Sequence, residues 1–429
     1  MLPGPGAGSP AGGIKIRRLV ILLAGCGVVI AASAGCAARP APSAVRGPGR
    51  PGRATVYVVS QGSKTVTPVV AATGKAGRPV KVANGPDALA VGPDGRTVWV
   101  VSTSRPGFVT PIRTATNTAS ARIRVGELPF GVAVTPDGET AWVVNYKTVT
   151  PVDTGTGRAG RPIRLGLGIG DHADAIVISP DGRTAYVAAA FTVVPVNLAR
   201  RRAGQPIRLG NHVSMQASVV MTPDGRKLYV LTGSDLVPMP VIPVDTVTGT
   251  AGRSITRAGA ASAIAMAPDG KTVYAGSTIG KYPASSSVIV PVITSTDKAS
   301  KPIKVGRPSP DAGVSSLAVT PSGKKVYVAA DTAVYPVDTR TREAGRPIRV
   351  APRGYIPTVL AISPDGKTAW VVSVNYNSRP AAGLLTPISL STNQAGKPIR
   401  VGPNPICLLI TTGHPTSHPE QGSCSYAPR

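Results

Sequence analysis

The sequence predicts an all-β fold, an eight-bladed β-propeller of four-stranded antiparallel blades closed by a composite blade drawn from both ends of the chain. Three periodic signals carry this expectation: a recurring Pro-Asp-Gly turn, an aromatic residue centred in the run after each turn, and a proline inside the run after that. Composition agrees. With 49 Gly, 44 Pro and only 4% aromatic residues among 42% hydrophobic ones, the chain reads as many short apolar segments separated by turns. A core of Val, Ile, Leu and Ala draws its stability from many similar contacts, which suits a repeat.

Strand one of each unit is a short apolar run such as Ala88-Leu89-Ala90-Val91 or Ala175-Ile176-Val177-Ile178. The turn after it begins at Pro93, Pro136, Pro180, Pro223, Pro268 and Pro364, with Pro321-Ser322-Gly323 as a variant copy. Proline pre-sets the first turn position, aspartate bonds back to the backbone and glycine accepts positive φ. Strand two alternates around Trp99, Trp142, Tyr186, Tyr229, Tyr274, Tyr327 and Trp370, with Tyr57 as an eighth member. An aromatic needed once per blade is expected to pack blades together, not to stack a ligand. Strand three carries Pro68, Pro111, Pro151, Pro195, Pro243, Pro291, Pro336 and Pro387. Because proline cannot donate to a ladder, each should sit at a bulge or where its missing N–H faces no partner. Strand four, of the type Ala159-Gly160-Arg161-Pro162-Ile163-Arg164-Leu165, also occurs eight times. At the ends, residues 54–60 form a strand two with no turn before it, and 405–410 a strand one with no hairpin after it. Pairing the two completes the ring and removes open sheet edges.

Trp142-Val143-Val144-Asn145 and Tyr57-Val58-Val59-Ser60 resemble the signature strand of the YVTN family of β-propellers, and the resemblance spans nearly all of residues 54–410. It implies the fold but not an activity, since this architecture serves binding proteins, lactonases, lyases and redox enzymes. Eight units against the seven usual in that family, and the prolines of strand three, are departures; seven blades is the alternative count.

Residues 1–35 read as an export signal, with Lys15, Arg17 and Arg18 before an apolar stretch from Leu19 to Ala32. Ala32-Ser33-Ala34-Gly35-Cys36 resembles a bacterial lipobox, which implies lipid attachment at Cys36 and anchoring at the outer face of the cytoplasmic membrane. Leu23-Ala24-Gly25-Cys26 is a second match, too close to Arg18, and Ala32-Ser33-Ala34 also suits ordinary secretion. Residues 36–53, rich in Pro, Ala and Gly, form a flexible linker, and 411–429 a C-terminal tail. Cys407 and Cys424 remain for the folded part, an even pair expected to form a disulfide in an oxidising compartment.

The formal net charge is +27, and cleavage before Cys36 removes only three basic side chains from it. The cations crowd strand four, as in Arg158, Arg161 and Arg164, where lysine, arginine and proline also guard an outer edge against aggregation. Strand four holds no aromatics for base stacking, so nucleic acid is not the expected partner. The symmetry-breaking residues are more informative. Loops from strand four to the next strand one hold Asp171, His172, Asp174, His212 and Gln216, and long loops after strand two hold Tyr282 and Tyr376. His172 and His212 occupy the same loop of adjacent blades and could converge with Asp171 and Asp174 on a divalent cation or an anionic ligand; solvated loop histidines beside turn-capping aspartates are the simpler alternative. No organic cofactor is expected, and no catalytic residue, because nothing arranges a nucleophile with a base. The leading expectation is a monomeric, non-catalytic envelope binding or scaffold protein meeting a polymer, a protein or a small ligand. A metal-dependent hydrolase or lyase of the lactonase type, and a structural protein whose loops pack on a subunit, are the alternatives.

Overall fold

The structure, a computed structural model, describes residues 28–29, 54–210, 216–233, 240–255, 260–281, 284–310, 312–412 and 423–424. The described residues contain no helix and form eight sheets, and in seven of them the four blade strands follow chain order from the inner to the outer edge. Blade one is composite: strand one is Pro405–Thr411, strand two Thr55–Ser60 and strand three Thr65–Val70, with Val56 opposite Ile410 and Val58 opposite Leu408. Eight blades, closed by residues from both ends, are what the repeats predict.

Each hairpin is built as its sequence implies. In blade four Asp181 accepts from the Ser179 hydroxyl at 2.5 Å and from the Arg183 N–H at 3.0 Å. The glycine that follows holds φ near +69°, a conformation costly for any residue with a Cβ. The strand-two aromatics do what their recurrence predicts. Tyr57 packs with Leu89 and Val98 of blade two, Trp142 with Ile176 and Ala185 of blade four, and Trp370 with Val56 and Leu408 of blade one. The core is therefore a closed series of eight inter-blade clusters rather than one nucleus.

The strand-three prolines are not bulged. Each stands directly opposite the strand-two aromatic, Tyr57 facing Pro68 and Trp142 facing Pro151, in an unbroken ladder. Their carbonyls point outward and accept from strand four, as Gly160 N–H does to Pro151 at 2.8 Å. A strand residue turns its N and its O to the same side, so the missing N–H also faces strand four, at the Gly-Arg-Pro break between its two short segments. A Cβ on Gly160 would lie 3.1 Å from the Pro151 ring, and glycine holds this place in six blades, with Ser120 and Ser300 in the other two.

A second pairing crosses between blades. The Tyr57 hydroxyl donates to Asn117 Oδ1 (2.7 Å), Tyr229 to Asp297 (2.5 Å) and Tyr327 to Asn393 (2.6 Å). Each acceptor occupies the positive-φ corner of the next blade's strand three to four turn, with φ of +53° to +56°. Asn and Asp tolerate that conformation better than other side chains with a Cβ.

Two short strands lie against the inner edges of the innermost strands, within the ring. Val28–Val29 runs parallel to Ile264–Ala265, and Ser423–Cys424 runs antiparallel to Cys407–Leu408, setting Cys424 opposite Cys407.

Candidate functional site

Strand one enters each blade from the loop-rich face, and in seven of the eight blades its first residues carry the same register slip against strand two. Such a bulge re-aims one side chain. The residues at these slips form a ring around the inner strands, termed the mouth: Asp87, Phe130, Asp174, Ser262, Ser315, Thr358 and Ile406, the last of them buried in the cluster between blades one and two. The backbone device is repeated while the chemistry it presents is not. Hydroxyls in this ring serve the scaffold: Ser262 donates to the Val314 carbonyl and Ser315 to that of Pro357, each the next blade's strand one.

Charge and aromatic character gather on blades two to four. The His172 ring lies nearly parallel to Tyr146, with centroids 5.7 Å apart and planes 9° from parallel, and Phe130 lies across it at 6.4 Å. His172 Nε2 is 3.3 Å from Asp174 Oδ1. Lys147 Nζ sits 5.9 Å from the Tyr146 centroid and donates to the Gly168 carbonyl, tying the Gly166–Gly170 loop to the cluster. Tyr146 is 37% exposed and Ile169 fully so, giving this side of the mouth an apolar lip. On blade two, Thr103 Oγ1 lies 3.2 Å from Asp87 Oδ2, and the Gln61 amide reaches Asp87 Oδ1 at 3.5 Å while accepting from Asn404. Chemically the cluster offers three rings, the Asp174 carboxylate and one ammonium group, with the Asp87 carboxylate at the equivalent bulge of blade two.

Of the residues expected from sequence, His172 and Asp174 belong to this cluster. Asp171 faces the other way: it is buried and accepts from the Phe191 N–H and the Thr192 hydroxyl, latching the loop onto its own blade. Tyr376 is half exposed on blade eight, four blades round the ring from His172. Gln216 begins strand one of blade five. His212, Tyr282 and Cys36 lie outside the described residues. Among the described residues no three His, Cys, Asp or Glu side chains gather as a metal site. Phe130 and Tyr146 were missed by sequence reasoning. The signal available was their position, since no other blade has an aromatic at either place.

No family model and no curated protein matches the sequence. Among solved structures the chain is similar to hydrazine synthase of Kuenenia stuttgartiensis, at 20% identity and a TM-score of 0.54, over 74% of this chain and 96% of that one. It is also similar to the dihydro-heme d1 dehydrogenase NirN in complex with DHE, at 18% identity and a TM-score of 0.63, over 85% of this chain and 76% of that one. A functionally unknown protein from Desulfotomaculum acetoxidans DSM 771 matches at 17% identity and a TM-score of 0.51, over 68% of this chain and 94% of that one. At these identities the likeness speaks for the β-propeller fold alone.

Proposed function

We propose that the protein is a non-catalytic binding protein of the cell envelope, exported, held to the membrane by lipid on Cys36, and built on a YVTN-type propeller. Its binding site is the mouth cluster of Phe130, Tyr146, His172 and Asp174, and its ligand is a saccharide-bearing envelope polymer. The observation that carries this reading is the stacked Tyr146–His172 pair, with Phe130 across it and Asp174 within reach. Ring faces take the apolar faces of sugars and carboxylates accept their hydroxyls, whereas the symmetric hairpins of the opposite face offer no such asymmetry. The test is calorimetric titration with soluble peptidoglycan fragments. His172→Ala and Tyr146→Ala should each weaken binding by about three- to tenfold while unfolding stays cooperative, in keeping with the worth of a ring contact. Unchanged affinity in both variants, or turnover of the fragments or of lactones, overturns the reading.

Export has its own tests. Cys36→Ser should release the protein from membranes to the medium; a variant still bound to membranes rules out the lipid anchor. We further propose that Cys407 and Cys424 are oxidised, since antiparallel partners opposite each other lie within disulfide range. Intact mass before and after reduction and alkylation decides this, and two free thiols in secreted protein refute it.

A further inference from the structure

The outer wall breaks symmetry between blades six and seven. The outer strand of blade six, Ile303–Ser309, is seven residues long, where the corresponding segments of other blades have three or fewer. Its register against Ser285–Ile293 slips between Ser285 and Ser287, so Gly306, Arg307 and Pro308 bulge outward. Gly306 holds φ at +77°, and a Cβ there would stand 2.9 Å from the Tyr335 hydroxyl of blade seven. Tyr335 is an exception too. The residue before the strand-three proline is Thr67, Thr110, Thr150, Val194, Ile242, Val290 or Thr386 in the other blades.

Tyr335 is 9% exposed, and its hydroxyl makes no hydrogen bond among the described residues. It lines a groove of about 1200 Å³ between the two blades. Lys301, Lys304, Arg307 and Arg342 also line it, against Asp331 and Glu343. None of the four cations forms an ion pair among the described residues. Arg342 stands at the turn corner that carries an acceptor opposite Tyr57, Tyr229 and Tyr327, and here its guanidinium spans the blades to the Lys301 carbonyl at 2.6 Å.

We propose that this groove binds a linear anionic glycan. Spaced, unneutralised cations suit the acidic groups of such a chain, while Glu343 and the Tyr335 phenol suit its hydroxyls; Asp331 is taken up by the Ser287 hydroxyl and the Gly313 N–H. Edge protection explains basic residues on every outer strand, but it calls for neither Tyr335 nor the glycine that makes room for it. An acidic peptide adding as a strand is disfavoured by Pro302, Pro308 and the bulge, and a nucleic acid by the lack of an exposed ring face. The site is on the outer wall and independent of the mouth.

The test is titration of the full chain with hexameric oligogalacturonate at low and moderate salt, with hexaglutamate and maltohexaose as comparators. The pair Lys304→Ala/Arg342→Ala should weaken binding of the anionic hexamer by at least about tenfold, and Tyr335→Phe by about threefold, as expected for charged and neutral hydrogen bonds. Arg161→Ala/Arg164→Ala, at the outer edge of blade three, should leave it unchanged. Arg307→Glu, on the exposed bulge, should also weaken it and stands in if the first pair fails to fold. The proposal is overturned if the blade-three pair weakens binding equally, if hexaglutamate binds as tightly, or if the hexamer does not bind at low salt.

Discussion

The tyrosine hydroxyls of strand two and the corners of the next blade's turns form a residue-level code. Tyr57, Tyr229 and Tyr327 face Asn117, Asp297 and Asn393, whereas Trp99, Trp142 and Trp370, which carry no hydroxyl, face Gly157, Arg201 and Gly74. Tyr186 faces Gly249, which has no side-chain acceptor to offer. Tyr229→Phe and Tyr327→Phe should each cost about 1 kcal/mol, the net worth of a hydrogen bond, whereas Tyr274→Phe, opposite Arg342, should stay within about 0.5 kcal/mol. Urea unfolding of the three variants checks the contrast; equal losses would mean that ring packing alone matters. The aromatic positions were legible in the sequence because they recur. Their partners were not, because the contact joins residues some sixty apart whose identity varies with the aromatic they serve.

At the scale of the strand and its turns, local chemistry sets a pH window. Asp153, Asp245 and Asp338 head the strand three to four turns, and N–H groups of Thr156, Thr248 and Thr341 hold their carboxyls below the usual carboxylate range. A folded value below the unfolded one means that this stabilisation is complete above about pH 4 and is lost as pH falls further. Burial pushes the Tyr57 and Tyr229 phenols up, aided for Tyr229 by Asp297. That contribution is complete below about pH 10 and fades above it, because the unfolded chain releases its phenol protons first. Urea midpoints measured across pH should fall at both ends. Asp245→Asn should flatten the acid limb and Tyr57→Phe the alkaline one; limbs unmoved by these variants would refute the assignment. The hairpins were readable because Pro, Asp and Gly each act within their own turn. The bulge at the start of strand one was not, since it is a matter of register between strands and leaves no fixed residue behind: Asp87, Phe130 and Ser262 all occupy it.

For the molecule as a whole, closure is the decisive feature. Without Pro405–Thr411, strand two of blade one loses a partner along its whole length, and Tyr57, Leu89 and Val98 lose Ile406, Cys407 and Leu409 from their cluster. A chain truncated after Asn404 should lose cooperative thermal unfolding and self-associate through the exposed edge, as seen by calorimetry and size-exclusion chromatography. A truncated chain that melts cooperatively as a monomer would show that seven blades hold the ring open unaided. Eight blades and their closure were legible because every repeat votes for them. The mouth cluster was legible only in part: His172 and Asp174 stand out as rare types, but Phe130 and Tyr146 take their meaning from the ring, which brings the loops of blades three and four together.

Closure also imposes an order in time. The hydrogen bonds between Thr55 and Thr411 join residues 356 positions apart. At the usual pace of synthesis, about 5 to 20 residues per second, the first blade waits roughly 20 to 70 seconds for its inner strand. Until then the clusters of blade one against blades two and eight cannot be complete, although the six others can form. Assembly of the ring postponed until its last strand is available is the order that this architecture imposes.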